Sequence, residues 1–212
     1  MTGGTLLILG TGGHAQSLWE TARYSYRRIL FLTNDPTVLE TQQFCGCPAY
    51  YSAENSTRAL REPFDAAIVG IGDNRTRLAL THRLFAENAP LATIVHPTAA
   101  LSAAADVQPG TCILAQAAVN ALASVGRGCI INTGAVVEHG CRLGEGVHLS
   151  PRAALGGNTV VGDCAWICIG ASAAHNITIG ENSVIGAGAA VVESVPPNVL
   201  AVGVPARVRR SF

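Results

Sequence analysis

The stretch VVEHGCRLGEGVH, residues 136–148, sets two histidines nine residues apart, with a glutamate directly before the first. An imidazole beside a carboxylate can be held in one tautomer and take up a proton near neutral pH, so His139 with Glu138 is a candidate general base. No serine or cysteine stands beside the pair as a nucleophile in the repeat frame set out below. The chemistry this suggests is direct transfer between two bound substrates, without a covalent enzyme intermediate.

A second set of chemistry-bearing residues lies near the N-terminus. In GTGGHA, Gly10, Gly12 and Ala15 form G-x-G-x-x-A between an apolar run and a helical one. Glycines there let backbone N–H groups approach a phosphate at a helix start. Asp35, twenty residues past Ala15, is spaced for a ribose or base contact. A dinucleotide-dependent oxidoreductase and a purely structural βα turn are the competing readings. Too few strands precede Leu101 for a full dinucleotide domain, which favours a nucleotide-sugar phosphate. GIGDNRTR ends another apolar run, and Asn74 in it is either a ligand at the sheet's binding edge or only the helix N-cap.

These residues need elements to hold them. From Leu101 the chain divides into sixteen consecutive hexads without an insertion, and the first position is Leu, Ile or Val in all but the one beginning at Ala173. A strict six-residue period rejects an α-helix, which needs apolar spacing of three and four, and selects a β-helix. The fourth position is Gly or Asn in ten hexads, which suits a corner with positive φ between short strands. The fifth position is nearly always small and points inward, making Cys129 and Cys141 inert core thiols. Before Leu101 the pattern changes. TLLILG, RILFLT and DAAIVGIG read as buried parallel strands, and HAQSLWETARYS and RTRLALTHRLFAENA as helices, giving a small βαβ unit. ATIVHPTA reads as the crossing between the two, and PPNVLAVGVPARVRR as a tail leaving the β-helix. The expected domains are residues 1–97 and 98–212.

Bulk properties narrow the partners. The formal net charge is zero, all fourteen cationic side chains are Arg, and no block of like charge occurs, so neither nucleic acid nor an anionic membrane surface is indicated. No run approaches the roughly 20 apolar residues of a membrane span, and glycines interrupt the first apolar run too early for a signal peptide. Seven cysteines, with only Cys45 and Cys47 close together, do not make a disulfide framework or a metal site. Reduced thiols in the cytoplasm are expected, with a small molecule or another protein as partner.

The hexads resemble those of the hexapeptide-repeat transferases. Together, GTGGHA, IVHPTA, NTGAVVEH, GVHLSPRAALGGN and GVPAR make the whole chain similar to the bacterial sugar O/N-acyltransferases, a group with nucleotide-aminosugar N-acetyltransferases and sialic acid O-acetyltransferases among its members. The resemblance implies a Rossmann-like α/β domain followed by a left-handed parallel β-helix with about eighteen residues per three-sided coil. It also implies a homotrimer, acetyl-CoA as donor and His139 as base. On that geometry His148 lies half a coil from His139, so one chain cannot bring them together. Either neighbouring subunits share the site, or His148 only packs at an interface. Gly157 falls one coil above His139, where it would leave room for a thioester, and Asn132 lies across the preceding edge. By the same resemblance Asn132 and His148 are near the acceptor and acetyl group, and Gly157, Ile169 and Ala187 wall the pantetheine. Arg207, Arg209 and Arg210 meet coenzyme A phosphates, while Gly12, Gly13, His14, Asp35 and Asn74 hold the acceptor's nucleotide. Trp166 belongs to an interface or the cofactor wall, and His175 to the surface. Two positions depart from the family pattern: Gly140 follows His139 where relatives carry an acidic residue, and Cys168 replaces a glycine. The expected activity is acetyl-CoA-dependent N-acetylation of a nucleotide-linked deoxy-aminosugar. A sugar O-acetyltransferase and a non-catalytic nucleotide-binding scaffold are the alternatives.

Overall fold

The computed structural model describes residues 3–212. Its first part is a five-stranded sheet. The elements are β1 (Thr5–Leu9), α1 (Gly13–Ala22), β2 (Arg28–Thr33), α2 (Val38–Thr41), β3 (Gln43–Phe44), β4 (Cys47–Tyr51), β5 (Ala66–Val69) and α3 (Asn74–Ala86). Strand order is β3-β4-β2-β1-β5, parallel except for β3 against β4. Helices cover both faces, which is why Leu6, Leu7, Ile8 and Leu9 are all buried and read as one apolar run. Leu6, Ile8 and Phe31 pack with Ala15 and Leu18 of α1, whereas Leu7, Leu9, Leu30 and Leu32 pack with Leu84 of α3. The β3–β4 hairpin was not anticipated. It turns through Cys45 and Gly46, both at positive φ, in a short segment whose apolar pattern is too brief to register as two strands.

The rest is a left-handed β-helix of two-residue strands in three parallel faces. One face runs from Ala100–Leu101 to Ala190–Val191 and another from Asp106–Val107 to Thr178–Ile179. The third begins at β6 (Ile94–Val95), inside the segment expected to be the crossing, and continues through Cys112–Ile113, Ile130–Ile131, His148–Leu149, Trp166–Ile167 and Val184–Ile185. Partners differ by eighteen residues, as in Ile130 with His148 and His148 with Trp166. The hexad's first and fifth positions fill the axis: Val119, Val137 and Leu155 from one face, and Ala135, Cys141 and Ala153 at small positions, are all buried. Fourteen of the sixteen fourth positions, all but Ala104 and Ser194, have positive φ.

The C-terminal segment is not a departing tail. Val199–Val202 adds a parallel strand to Val184–Ile185, and Arg207–Ser211 returns antiparallel on it, so the last residues extend the third face. That same face carries the α/β domain: Ala92, Ile94, Cys112, Leu114 and Ile130 share a core with Leu6, Ala15 and Leu18. Among the described residues no helix is long and apolar enough to cross a membrane.

Candidate active site

The carboxyl edge of the sheet presents the first part of the site. α1 starts at Gly12, with φ −91 and no side-chain cap, leaving the first-turn N–H groups directed outward. A methyl group added at Gly12 or Gly13 would meet nothing within 4 Å, and neither has a positive φ, so neither packing nor backbone geometry demands glycine there. An approaching phosphate would. Gly10 and Gly70 differ: Gly10 has φ +110, and a Cβ on Gly70 would sit 2.9 Å from that of Ala15, so these positions let the helix close onto the sheet. Asp35 follows β2, accepting the backbone N–H (2.9 Å) and hydroxyl (2.7 Å) of Thr37, and these bonds hold its carboxyl below the ordinary range. With Thr11, Glu40, Gln43 and Phe44 it lines a cleft of about 300 Å³.

The second part is where α1 meets the third prism face. His14 is half-buried, its Nε2 3.9 Å from Cys112 Sγ. Asn132 Nδ2 lies 3.2 Å from His148 Nε2, and the His148 ring stacks on Trp166 with centroids 5.9 Å apart and planes 5° from parallel. Trp166 Nε1 donates to Ser150 Oγ at 2.8 Å. Burial, with smaller contributions from Arg77 and His148, pulls the pKa of His14 down to about 3, and burial with Arg77 lowers that of His148 to about 4. Both imidazoles are therefore neutral at pH 7. Asn132 thus lies with His148, the pair the resemblance set together, and a corner separates it from His139.

The third part is His139, exposed at the corner after Val136–Val137. A Cβ on Gly157 would come within 2.6 to 2.7 Å of Cε1 and Nε2 of its ring. The glycine thus makes room for the imidazole itself. Glu138 Oε2 accepts the backbone N–H of His139 at 3.2 Å and so fixes the corner. Gly140 also has a local cause: it lies at φ +66, and a side chain there would displace the Asn158 amide. His175 is exposed one coil beyond Gly157.

Ile169 and Ala187 form an exposed column at a different corner, followed by Gly170 and Gly188, where added methyl groups would meet nothing. Arg207, Arg209 and Arg210 are exposed on the final strand, with Arg207 3.9 Å from Glu193 and Arg210 over the Phe212 ring. Cys129 and Cys141 are buried and donate to the carbonyls of Gly144 and Gly156, and burial raises both thiols, Cys129 to about 12.

Asn74 is neither the cap nor an open ligand. Asp73 caps α3 by accepting from Thr76 N (2.9 Å), while the Asn74 amide donates to the carbonyls of Cys164 (3.0 Å) and Ala165 (3.2 Å) on the β-helix. Its Oδ1 accepts from Arg77, a residue that sequence reasoning missed. Arg77 is 1% exposed and donates five bonds: Nε to Gly128 O (2.7 Å), Nη1 to Ile71 O (3.3 Å) and Gly72 O (2.9 Å), Nη2 to Asn74 Oδ1 (2.9 Å) and Gly146 O (2.7 Å). On a helix rich in arginine, the one signal was its position opposite the solvated face.

Residues 5–84 match the family described as the PglD N-terminal domain. No curated protein sequence matches the chain. Among solved structures, perosamine N-acetyltransferase from Caulobacter crescentus, as a histidine-to-asparagine variant in complex with CoA and GDP-perosamine, is 34% identical with a TM-score of 0.89, and 98% of each chain is covered. A histidine-to-alanine variant with the same two ligands gives the same identity, coverage and TM-score. The acetyltransferase domain of PglB from Neisseria gonorrhoeae, in complex with acetyl coenzyme A, is 33% identical with a TM-score of 0.90, covering 97% of this chain and 98% of that one.

Proposed function

The chain belongs to the bacterial sugar N-acyltransferase family, and we propose from that membership that it transfers the acetyl group of acetyl-CoA to the amino group of a nucleotide-linked deoxy-aminosugar. One observation carries this reading: the open, glycine-lined start of α1 adjoins the polar cluster of His14, Asn132 and His148 on the third face. A nucleotide held at the first would lead its sugar into the second.

The α/β domain serves as the nucleotide-binding domain, and the β-helix, whose third face begins at Ile94 and so before the boundary expected at residue 98, as the acyltransfer domain. Gly12, Gly13 and His14 cradle the diphosphate, and Asp35 takes ribose or base. Asn74 acts by joining the domains beneath the acceptor. His148 and Asn132 line the acetyl end of the cluster. The Ile169 and Ala187 column, apolar and open beside two glycines, fits a pantetheine arm, and Arg207, Arg209 and Arg210 offer charge to its phosphates. His139 stands at another corner, so its proper partner is the cluster of a neighbouring protomer in a trimer. The reaction forms a C–N bond as the C–S bond breaks. His139 takes the proton that the attacking nitrogen loses and returns it to the departing sulfur, which leaves as the thiol. With acetyl-CoA as donor and seven free thiols, the cytoplasm is the fitting compartment.

The test is thiol release from acetyl-CoA with GDP-perosamine and with UDP- and dTDP-linked aminosugars. Turnover with at least one is expected. His139→Ala should then lower kcat by about 10² to 10⁴. A loss below tenfold, with fold and assembly intact, rejects the base assignment.

A further inference from the structure

Arg77 is buried between α3 and the β-helix, and all five of its hydrogen bonds go to neutral oxygens. Among the described residues no carboxylate bonds it. Such a charge is held by dipoles alone, and in a low-dielectric setting its field reaches well beyond its contacts. Two of those contacts fix where the field falls. The Gly146 carbonyl is two residues from His148, and the Gly128 carbonyl two residues from Ile130, the strand partner of His148. His14 approaches from α1 at Cys112, the next strand of the same face.

The other groups around Arg77 do not cancel it. Burial raises the thiols of Cys112 and Cys129 to about 12 and pushes Cys164 up as well, so all three are neutral at pH 7. Asp73 at the start of α3 is ionised but exposed, where water screens it. Glu145, at a neighbouring corner, is already paired with His82 (2.6 Å) and Arg127 (3.3 Å).

We propose that Arg77 is a positioning residue whose uncompensated charge makes the cluster of His14, Asn132 and His148 accept the sugar's amino group as free base and reject its ammonium form. The inference rests on the acyltransfer reading above. A primary amine in water titrates between about 7.7 and about 10.4 and is mostly protonated at neutral pH, where it has no lone pair to attack a thioester. Two neutral imidazoles and an amide offer the amine acceptors and donors but no negative charge, and the field of the buried cation opposes a second positive one. The ammonium's proton is left in water on binding, separately from the proton that His139 takes during attack.

Calorimetry at pH 7 tests this, titrating GDP-perosamine into the His139→Asn protein in two buffers of different ionisation enthalpy, so that the imidazole of His139 cannot absorb the proton. Release of about one proton per site is expected, and release of none overturns the proposal. In turnover, the acid limb of the kcat profile for Arg77→Met should move up by about one pH unit, while Arg77→Lys, which keeps the charge, stays near the parent. An unmoved limb in a folded Arg77→Met protein also overturns it, and if that variant does not fold, the proton count decides. A parent enzyme that acetylates the sugar yet binds it without releasing a proton keeps its function and loses this inference. One that acetylates no aminosugar loses the function itself.

Discussion

At the scale of single residues, the glycines separate by cause. Gly12 and Gly13 have open space over them, Gly10 and Gly140 have left-handed backbone, and Gly157 has neither open space nor positive φ but an imidazole seated on it. That last case makes a sharp test, because Gly157→Ala would put a methyl group 2.6 to 2.7 Å from the His139 ring and force it off its seat. A displacement of about 1 Å at a reacting group costs on the order of 10² in rate. We expect kcat to fall by about that factor, with the KM for acetyl-CoA nearly unchanged and the melting temperature within a few degrees. A rise in that KM with kcat preserved would instead return Gly157 to the cofactor wall. The outward placement of Glu138 and His139 was readable from the six-residue period, but the expected grip of the carboxylate on the imidazole was not borne out, since Glu138 accepts the backbone N–H of His139 and not its ring. The partners of Asn132 and Asn74 were not readable from that period, because which face a side chain shares depends on a corner turned between neighbours, or on a helix docking from the other domain.

At the scale of elements, the β-helix was readable almost to the residue: register is set by a side-chain period that any insertion would break, and the chain has none between Leu101 and Pro196. What the repeat frame could not show is that the corner imposes its geometry even on residues that resist it. Gln116, Leu122, Arg152 and Cys164 take φ of +56 to +59 or +61 like the glycines around them. Leu122 is 75% exposed, so its side chain gains little from burial to offset a left-handed backbone that costs an ordinary residue about 1 to 2 kcal/mol. Asn158 and Asn176 occupy the same corner two and three coils on, linked by a 3.3 Å hydrogen bond. Leu122→Asn should therefore raise stability by about 1 kcal/mol, seen as a higher urea midpoint at constant slope. A midpoint that falls would mean that Leu122 is covered in the assembly. The extra strands β3, β4 and β6 and the closing pair Val199–Val202 and Arg207–Ser211 went unread for a common reason. Each is too short or too irregular to show a period, and each is specified by the sheet it joins.

At the scale of the whole molecule, the α/β domain and the β-helix share one core along the third face, and the buried Arg77 fork with Asn74 joins them. On the proposed reading that junction holds one half of a site: the cluster of His14, Asn132 and His148 lies against the α/β domain, while His139 projects from a corner between the two other faces. In a three-fold ring each interface pairs one corner of a chain with one face of the next, so every site would take His139 from one protomer and the cluster from its neighbour. The arrangement has a quantitative consequence. A His139→Ala chain still offers an intact cluster, and a His148→Ala chain still offers an intact base. When the two are unfolded together and reassembled at equal concentration, a site is complete only where the base donor is the second kind and the cluster donor the first, a chance of one half times one half. Mixed assemblies should recover about a quarter of the parent activity, although neither variant alone is active above its residual rate. Sites contained within single chains would give no recovery at any mixing ratio. A recovery that peaks at equal proportions and falls toward either pure variant would identify the base and the acceptor cluster as belonging to different protomers.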